Sequence, residues 1–201
     1  AVSVRAAALI LAAATAVSAR AEVPIETPIQ VNVDVTGSNA LGDAANEPTL
    51  AVDPTAPNRL VASWRQFDDP EDLFRTAGWA SSLDGGRSWT FHGAVDAGVF
   101  ATDPVLAVDD DGRFYHLALD DGYTSCSLHI LDRGANWWSS PIPARGGDKP
   151  WLAVDPDRGH VYVAWDSAYS CCGETSFARS IDGGATFEEA IEIDPAPSLG
   201  A

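Results

Sequence analysis

Arginine and carboxylate side chains crowd one short stretch of the chain: Arg65, Asp68, Asp69, Glu71 and Asp72 fall within eight residues. A guanidinium offers a planar fork of donors to a carboxylate or a pair of hydroxyls. A neighbouring aspartate can carry a proton to or from a reacting group. Arg65 is therefore the candidate for holding an anionic or hydroxylated ligand, and Asp69 the candidate acid/base. The run Asp109-Asp110-Asp111-Gly112 lacks the alternating ligand spacing of a calcium loop and reads as turn chemistry. Cys126, Cys171 and Cys172 contain no Cys-x-x-Cys pair, and the four histidines are scattered. No metal centre and no cofactor is expected from them.

These residues must be positioned by a repeated element. Three segments match: Glu47-Pro48-Thr49-Leu50-Ala51-Val52-Asp53, Asp103-Pro104-Val105-Leu106-Ala107-Val108-Asp109 and Lys149-Pro150-Trp151-Leu152-Ala153-Val154-Asp155. Each is followed by a Pro/Gly/Asp turn and a second aromatic and β-branched run, which predicts a hairpin. A third strand leads into a second repeated motif. Its copies are Ser82-Leu83-Asp84-Gly85-Gly86-Arg87-Ser88-Trp89, Ser180-Ile181-Asp182-Gly183-Gly184-Ala185-Thr186-Phe187 and the degenerate Ile130-Leu131-Asp132-Arg133-Gly134-Ala135-Asn136-Trp137. A fourth strand follows each. Four strands in about 50 residues is the unit of a β-propeller blade. The predicted fold is all-β, a partial propeller of three four-stranded antiparallel blades over residues 46–201. Residues 22–45 form a leading strand (Ile29 to Val35) and a loop.

Composition narrows the partners. The 201 residues carry 12 Lys+Arg against 29 Asp+Glu, a net charge of −17. Nucleic acid and anionic membrane surfaces both need a basic face and are excluded as partners. Arg5, the apolar run Ala6 to Val17 and Ala19-Arg20-Ala21 form a basic, apolar and small-x-small series. Residues 1–21 therefore read as a secretory signal peptide. The apolar run is too short for a membrane span, which needs about 20 residues. A secreted or periplasmic location follows as an expectation, and with it an oxidising environment for the cysteines.

The motif Ser-x-Asp-x-Gly-x-Ser/Thr-Trp resembles the Asp box, or BNR repeat, of sialidases and related secreted propellers. The resemblance covers about residues 46–194. It implies structural turns at Ser82, Asp84, Gly86 and Trp89, at Asp132, Gly134 and Trp137, and at Ser180, Asp182, Gly184 and Phe187. An aspartate repeated once per blade closes its own turn and cannot build one convergent site. The resemblance further implies a six-bladed ring and exo-acting glycosidase chemistry, with arginines clamping a substrate carboxylate. In this chain Asn46 stands where the family's first arginine sits, before Pro48-Thr49-Leu50.

Strand alternation separates the two faces of such a ring. Asp boxes lie on one face, and the starts of the first strands and the loops between second and third strands lie on the other. That second face collects Asn46, Glu47, Asp103, Asp148 and Lys149, with Arg65 and its aspartates. It also collects Asp120, Asp121 and Tyr123, and Asp166, Tyr169, Cys171, Cys172 and Glu174. Cys126 belongs to the same face, which predicts a disulfide from Cys126 to Cys171 or Cys172. Two functions fit. One is a sialidase-like propeller that hydrolyses or binds a glycan or glycoconjugate. The other is a non-catalytic scaffold that meets a protein partner through the propeller face. Three blades cannot close a ring, so the chain by itself is expected to be an inactive fragment.

Overall fold

The computed structural model describes residues 27–34, 36–120 and 122–193. The segment read as a signal peptide lies outside the described residues. Eleven strands and no helix occur among the described residues. Blade 1 is β1 (Ala44–Val52), β2 (Leu60–Phe67), β3 (Thr76–Ser82) and β4 (Thr90–Ala94). Blade 2 is β5 (Thr102–Val108), β6 (Phe114–Leu119), β7 (Cys126–Leu131) and β8 (Ile142–Ala144). Blade 3 is β9 (Gly147–Val154), β10 (Val161–Ser170) and β11 (Phe177–Ser180). Each sheet is an antiparallel meander in chain order. In the third, the place of a fourth strand is taken by a single bridge between Phe177 and Ile191.

The first strands β1, β5 and β9 lie side by side, so the three blades converge on one axis. The blades pack face to face through alternating strand residues. Val61, Trp79, Phe114, Leu131 and Trp138 fill the junction of blades 1 and 2. Tyr115, Leu117, Leu128, Val161, Val163 and Trp165 fill the junction of blades 2 and 3.

The turn between first and second strands is built alike in each blade. Asp53, Asp109 and Asp155 each turn one carboxylate oxygen back onto main-chain N–H groups two to four residues on: Thr55 and Ala56, Asp111 and Arg113, Asp157 and Arg158. Asp53 is the most enclosed. Arg59 (3.3 Å) and Arg133 of blade 2 (3.2 Å) both reach its second oxygen, and Arg59 also donates to the Gly112 carbonyl.

Two features depart from the sequence expectation. The leading segment is not a strand. Asp34 accepts Thr36 N–H, the Thr36 hydroxyl and Ser38 N–H, which folds the chain back on itself and leaves one bridge, Val33 to Asn39. Val31 instead packs over Ala62, Trp64 and Ala80, the outer face of blade 1.

The second motif also runs one residue later than its spacing indicates. Leu131 pairs with Phe114, as Ser82 pairs with Leu60 and Ser180 with Val161. A one-residue slip exchanges inward and outward side chains. The buried aromatic ring is therefore Trp138 (7% exposed), and Trp137 is 73% exposed. Arg133, not Asp132, occupies the box-aspartate position and reaches across to Asp53, while Asp132 pairs with Arg113 (2.7 Å).

Candidate functional site

In the two complete motifs the aspartate is saturated by its own turn. Asp84 accepts the Ser82 hydroxyl (2.8 Å), Ser88 N–H (2.9 Å) and the Ser88 hydroxyl (2.6 Å). Asp182 does the same with Ser180 and Thr186. The Ser82 and Ser180 hydroxyls accept the Gly86 and Gly184 N–H groups. The Trp89 indole donates to the Gly86 carbonyl and Phe187 packs at the blade 2–3 junction. Hydrogen bonds, first those from Ser88 in one turn and from Ser180 in the other, pull both carboxyls down to about 2. Both oxygens of each carboxylate are thus engaged within the turn.

The position before the repeated proline behaves differently, because its residue type changes from blade to blade. Glu47, Asp103 and Lys149 each stand at a β-bulge. Two residues of the first strand oppose one of the second between Asn46 and Thr49, between Thr102 and Val105, and between Asp148 and Trp151. All three hold left-handed backbone, with φ of 52°, 50° and 52°. Four non-glycine residues have positive φ among the described ones, and these are three of them. A charged side chain held in this region before proline costs about 1–3 kcal/mol, and such outliers gather at functional sites.

The bulges aim the three side chains at each other near the axis. Lys149 Nζ lies 2.9 Å from Asp103 and 3.7 Å from Glu47. Arg65, opposite Asn46 on β2, donates through Nε to Asn46 (2.7 Å), and its guanidinium lies 3.3 Å from Glu47 and 3.9 Å from Asp103. The Arg65 guanidinium also stacks over Phe67.

The two carboxyl groups are driven apart in acidity. Burial, then the hydrogen bond and charge of Asp103, raise Glu47 above the ordinary carboxyl range, against the pull of Arg65 and Lys149. Asp103 is also penalised by burial, but its bonds with Glu47 and Lys149 outweigh that and hold it low. Glu47 Oε2 is buried and has no hydrogen-bond partner. Glu47 is thus the later of the two to give up its proton as pH rises, and Asp103 the earlier.

A cleft of about 440 Å³ opens beside this cluster, lined by Arg65, Arg75, Thr102, Asp103, Tyr123, Asp148 and Lys149. A second depression of about 330 Å³ follows the axis over Pro48, Pro104 and Pro150, with Trp151 (73% exposed) at one side. Three cations (Arg65, Arg75, Lys149) and three carboxyl groups (Glu47, Asp103, Asp148) line these two depressions.

Of the residues singled out from sequence, the structure brings Arg65, Glu47, Asp103, Asp148, Lys149 and Tyr123 to these two depressions. Asp69 is not among them. It lies in an exposed loop, where its carboxylate accepts Glu71 N–H (2.9 Å), and Asp72 likewise caps Phe74. Asp121 and the Tyr169 side chain lie outside the described residues. Arg75 and Thr102 were not singled out. Arg75 stands in no motif, and it enters the cleft wall because the blade 1 loop returns it over Phe67 and Phe100.

The cysteines pair otherwise than expected. Cys171 and Cys172 bond to each other, and Cys126 is a free buried thiol. Cys126 opens β7 with its side chain in the core beside Leu119, Leu128 and Trp165, and its thiol rests against Gly146, whose carbonyl accepts the Cys171 N–H. Burial pushes its thiol pKa up. No group of three or more His, Cys, Asp or Glu among the described residues is arranged to hold a metal ion.

No protein-family model matches the chain, and no curated protein matches its sequence. Solved structures share its fold. The α-L-arabinanase of Penicillium chrysogenum, complexed with arabinobiose, superposes with a TM-score of 0.55 at 17% identity, over 77% of this chain and 50% of that one. A GH43 β-1,3-galactosidase gives 0.54 at 16%, over 75% and 32%. A Hadza microbial sialidase gives 0.52 at 13%, over 75% and 34%. The chain thus spans from about a third to a half of the structures it resembles. At these identities the likeness is one of fold: three consecutive antiparallel blades of a β-propeller.

Proposed function

We propose that this chain is part of an exported propeller that binds and hydrolyses a neutral glycan at the axial cleft. The observation that carries the reading is the meeting of Glu47, Asp103 and Lys149. They occupy one repeated backbone position, yet differ in charge and converge on each other. Equivalent positions that only hold the fold, such as Asp53, Asp109 and Asp155, keep one residue type.

The roles follow from the geometry. Glu47, whose carboxyl pKa is raised by burial and by Asp103, is the proton donor to a leaving-group oxygen. Asp103 and Lys149 position it. Asp148, on the cleft wall, is the second carboxylate that glycoside hydrolysis requires. Arg65 and Arg75 donate to sugar hydroxyls, and Trp151 offers a flat apolar face to a pyranose ring. The chain's net charge of −17 opposes an anionic ligand, and the cations at the site are already paired, Arg65 with Glu47 and Asp103 and Lys149 with Asp103. The reading is therefore a neutral sugar rather than a sialic acid. The arabinanase, galactosidase and sialidase that share the fold support a glycan as partner.

The test is a panel of neutral and sialylated aryl glycosides, assayed with the protein and its Glu47→Gln and Asp69→Asn variants. We expect turnover of a neutral glycoside, a loss of at least about a hundredfold in Glu47→Gln, and no change in Asp69→Asn. Activity should fall as pH rises through the raised pKa of Glu47, and fall again in acid once Asp103 takes up a proton. Turnover that survives Glu47→Gln would remove this residue from the chemistry.

The contact between Glu47 and Asp103 favours a second reading, a binding-only propeller. Two carboxyls that share a hydrogen bond are closer than the 5–10 Å or so that acid and nucleophile or base need, so Asp103 cannot be the second group and turnover rests on Asp148 alone. Glycan binding without turnover on any substrate would decide for it.

A further inference from the structure

A second cavity, of about 540 Å³, lies between blades 1 and 2. Phe100 stands in its wall and packs edge-on against Tyr123 of the axial cleft, so the two spaces adjoin without sharing a lining residue. Comparing equivalent positions shows how it arises. On the face that each blade turns toward the one before it, blade 3 presents Val163 and Ala178 as a cross-strand pair, with Trp165 two residues on. Blade 1 presents Ala62 and Ala80, with Trp64. Blade 2 presents His116 and His129, with Ala118. Blade 2 has therefore lost the tryptophan that fills this space and gained two imidazoles that line it.

The hydrogen bonds fix the state of both rings. Ser63 Oγ donates to the Gly78 carbonyl (2.8 Å), so it accepts from His116 Nε2–H (3.1 Å). His116 Nδ1 is then a bare acceptor, and it is buried without a partner. Burial first, then His129, holds the His116 pKa down to about 3, so the ring is neutral at any ordinary pH. His129 Nδ1 faces the Ser139 carbonyl (3.0 Å) and must donate to it, so that proton is not available to a ligand. Asp96 and Asp120 add carboxylates, and no lysine or arginine lines the space. The walls are apolar and include Phe74, Val95, Val99 and Phe100. Acceptors without donors, in an apolar and aromatic enclosure, select a ligand that brings its own N–H groups and positive charge.

We propose that the cavity between blades 1 and 2 is a binding site for a small organic cation, a protonated amine carried on an apolar body of about one ring. The ammonium donates to His116 Nδ1 and the acidic end of the cavity, and the ring lies between the phenylalanines. The site is separate from the axial cleft and does not depend on that cleft being catalytic.

Benzylammonium is the probe, followed by calorimetry and by the imidazole nitrogen shifts of His116. Benzyl alcohol and benzoate are the neutral and anionic controls. Two variants restore the pattern of the neighbouring blades without changing net charge: Ala118→Trp, and the double variant His116→Val with His129→Ala. We expect saturable one-to-one binding of benzylammonium that moves the His116 Nδ1 resonance. Affinity should be at least about tenfold weaker for benzyl alcohol, and at least about tenfold weaker for benzylammonium in either variant. The double variant carries the test alone should Ala118→Trp fail to fold. Three results would overturn the site: no saturation by ~10 mM, equal binding of the alcohol, or undiminished binding to a folded variant.

Discussion

Trp137 and Trp138 are neighbours in sequence and opposites in energy. Trp138 packs edge-on against Trp79 (5.4 Å between centroids) inside the blade 1–2 junction, while Trp137 faces solvent. Replacing Trp138 by alanine should cost about 3–5 kcal/mol in chemical denaturation. The same change at Trp137 should stay within about 0.5 kcal/mol. Equal losses would show that the strand register differs from the one described. The spacing of aspartates cannot reveal this slip, because Asp132 and Gly134 imitate a motif whose hydrogen-bonding serines are missing. The signal that could have done so is the doubled tryptophan, with the second at the distance from its strand that Trp89 keeps in blade 1. Glu47 and Lys149 were legible as members of the right face, since strand direction alone assigns them there. Their mutual contact was not, because it rests on three bulges whose φ values no single repeat announces. Asp69 misled for the opposite reason: clustered charge in sequence dispersed into turns that satisfy themselves.

At the level of the elements, the two complete motifs act as acid-sensitive latches. Asp84 and Asp182 titrate near 2 in the folded chain against an ordinary 3.8. A depressed folded pKa adds stability that is fully present above about pH 4 and is lost as pH falls toward 2. Asp84→Asn should therefore lower the melting temperature at pH 6 and flatten its decline between pH 4 and 2. An unchanged acid slope would place the sensitivity elsewhere. Blade 2 contributes no such latch, since Arg133 fills the aspartate's place. The strands themselves were readable, because aromatic and β-branched runs bounded by Gly, Pro and Asp leave few alternatives. The leading segment was not, because an Asp34-centred turn is a local event that outcompetes a strand lacking a partner edge.

For the molecule as a whole, the blades share their cores, and the one unpaired thiol reports on that. Cys126 lies at the blade 2–3 junction with its thiol buried and its pKa raised. An aromatic disulfide reagent should label no thiol in the native protein and one in denaturant. Rapid native labelling would mean that blade 3 separates readily from blade 2. The odd cysteine count made one free thiol legible in the sequence. Its identity was not, since the choice depends on which way the first residue of β7 faces. The junction of blades 1 and 2 is secured at another point. Asp53 lies in blade 1, yet Arg133 comes from blade 2, and Arg59 bonds both to Asp53 and to the Gly112 carbonyl of blade 2. Opening one of these blades strands a buried carboxylate in the other, so the pair should behave as a single cooperative unit. Should blade 3 come away first, the expected remainder is a two-blade body that still holds the Asp53 knot and the cavity beside His116, seen as labelling of Cys126 before the Trp79–Trp138 contact is lost.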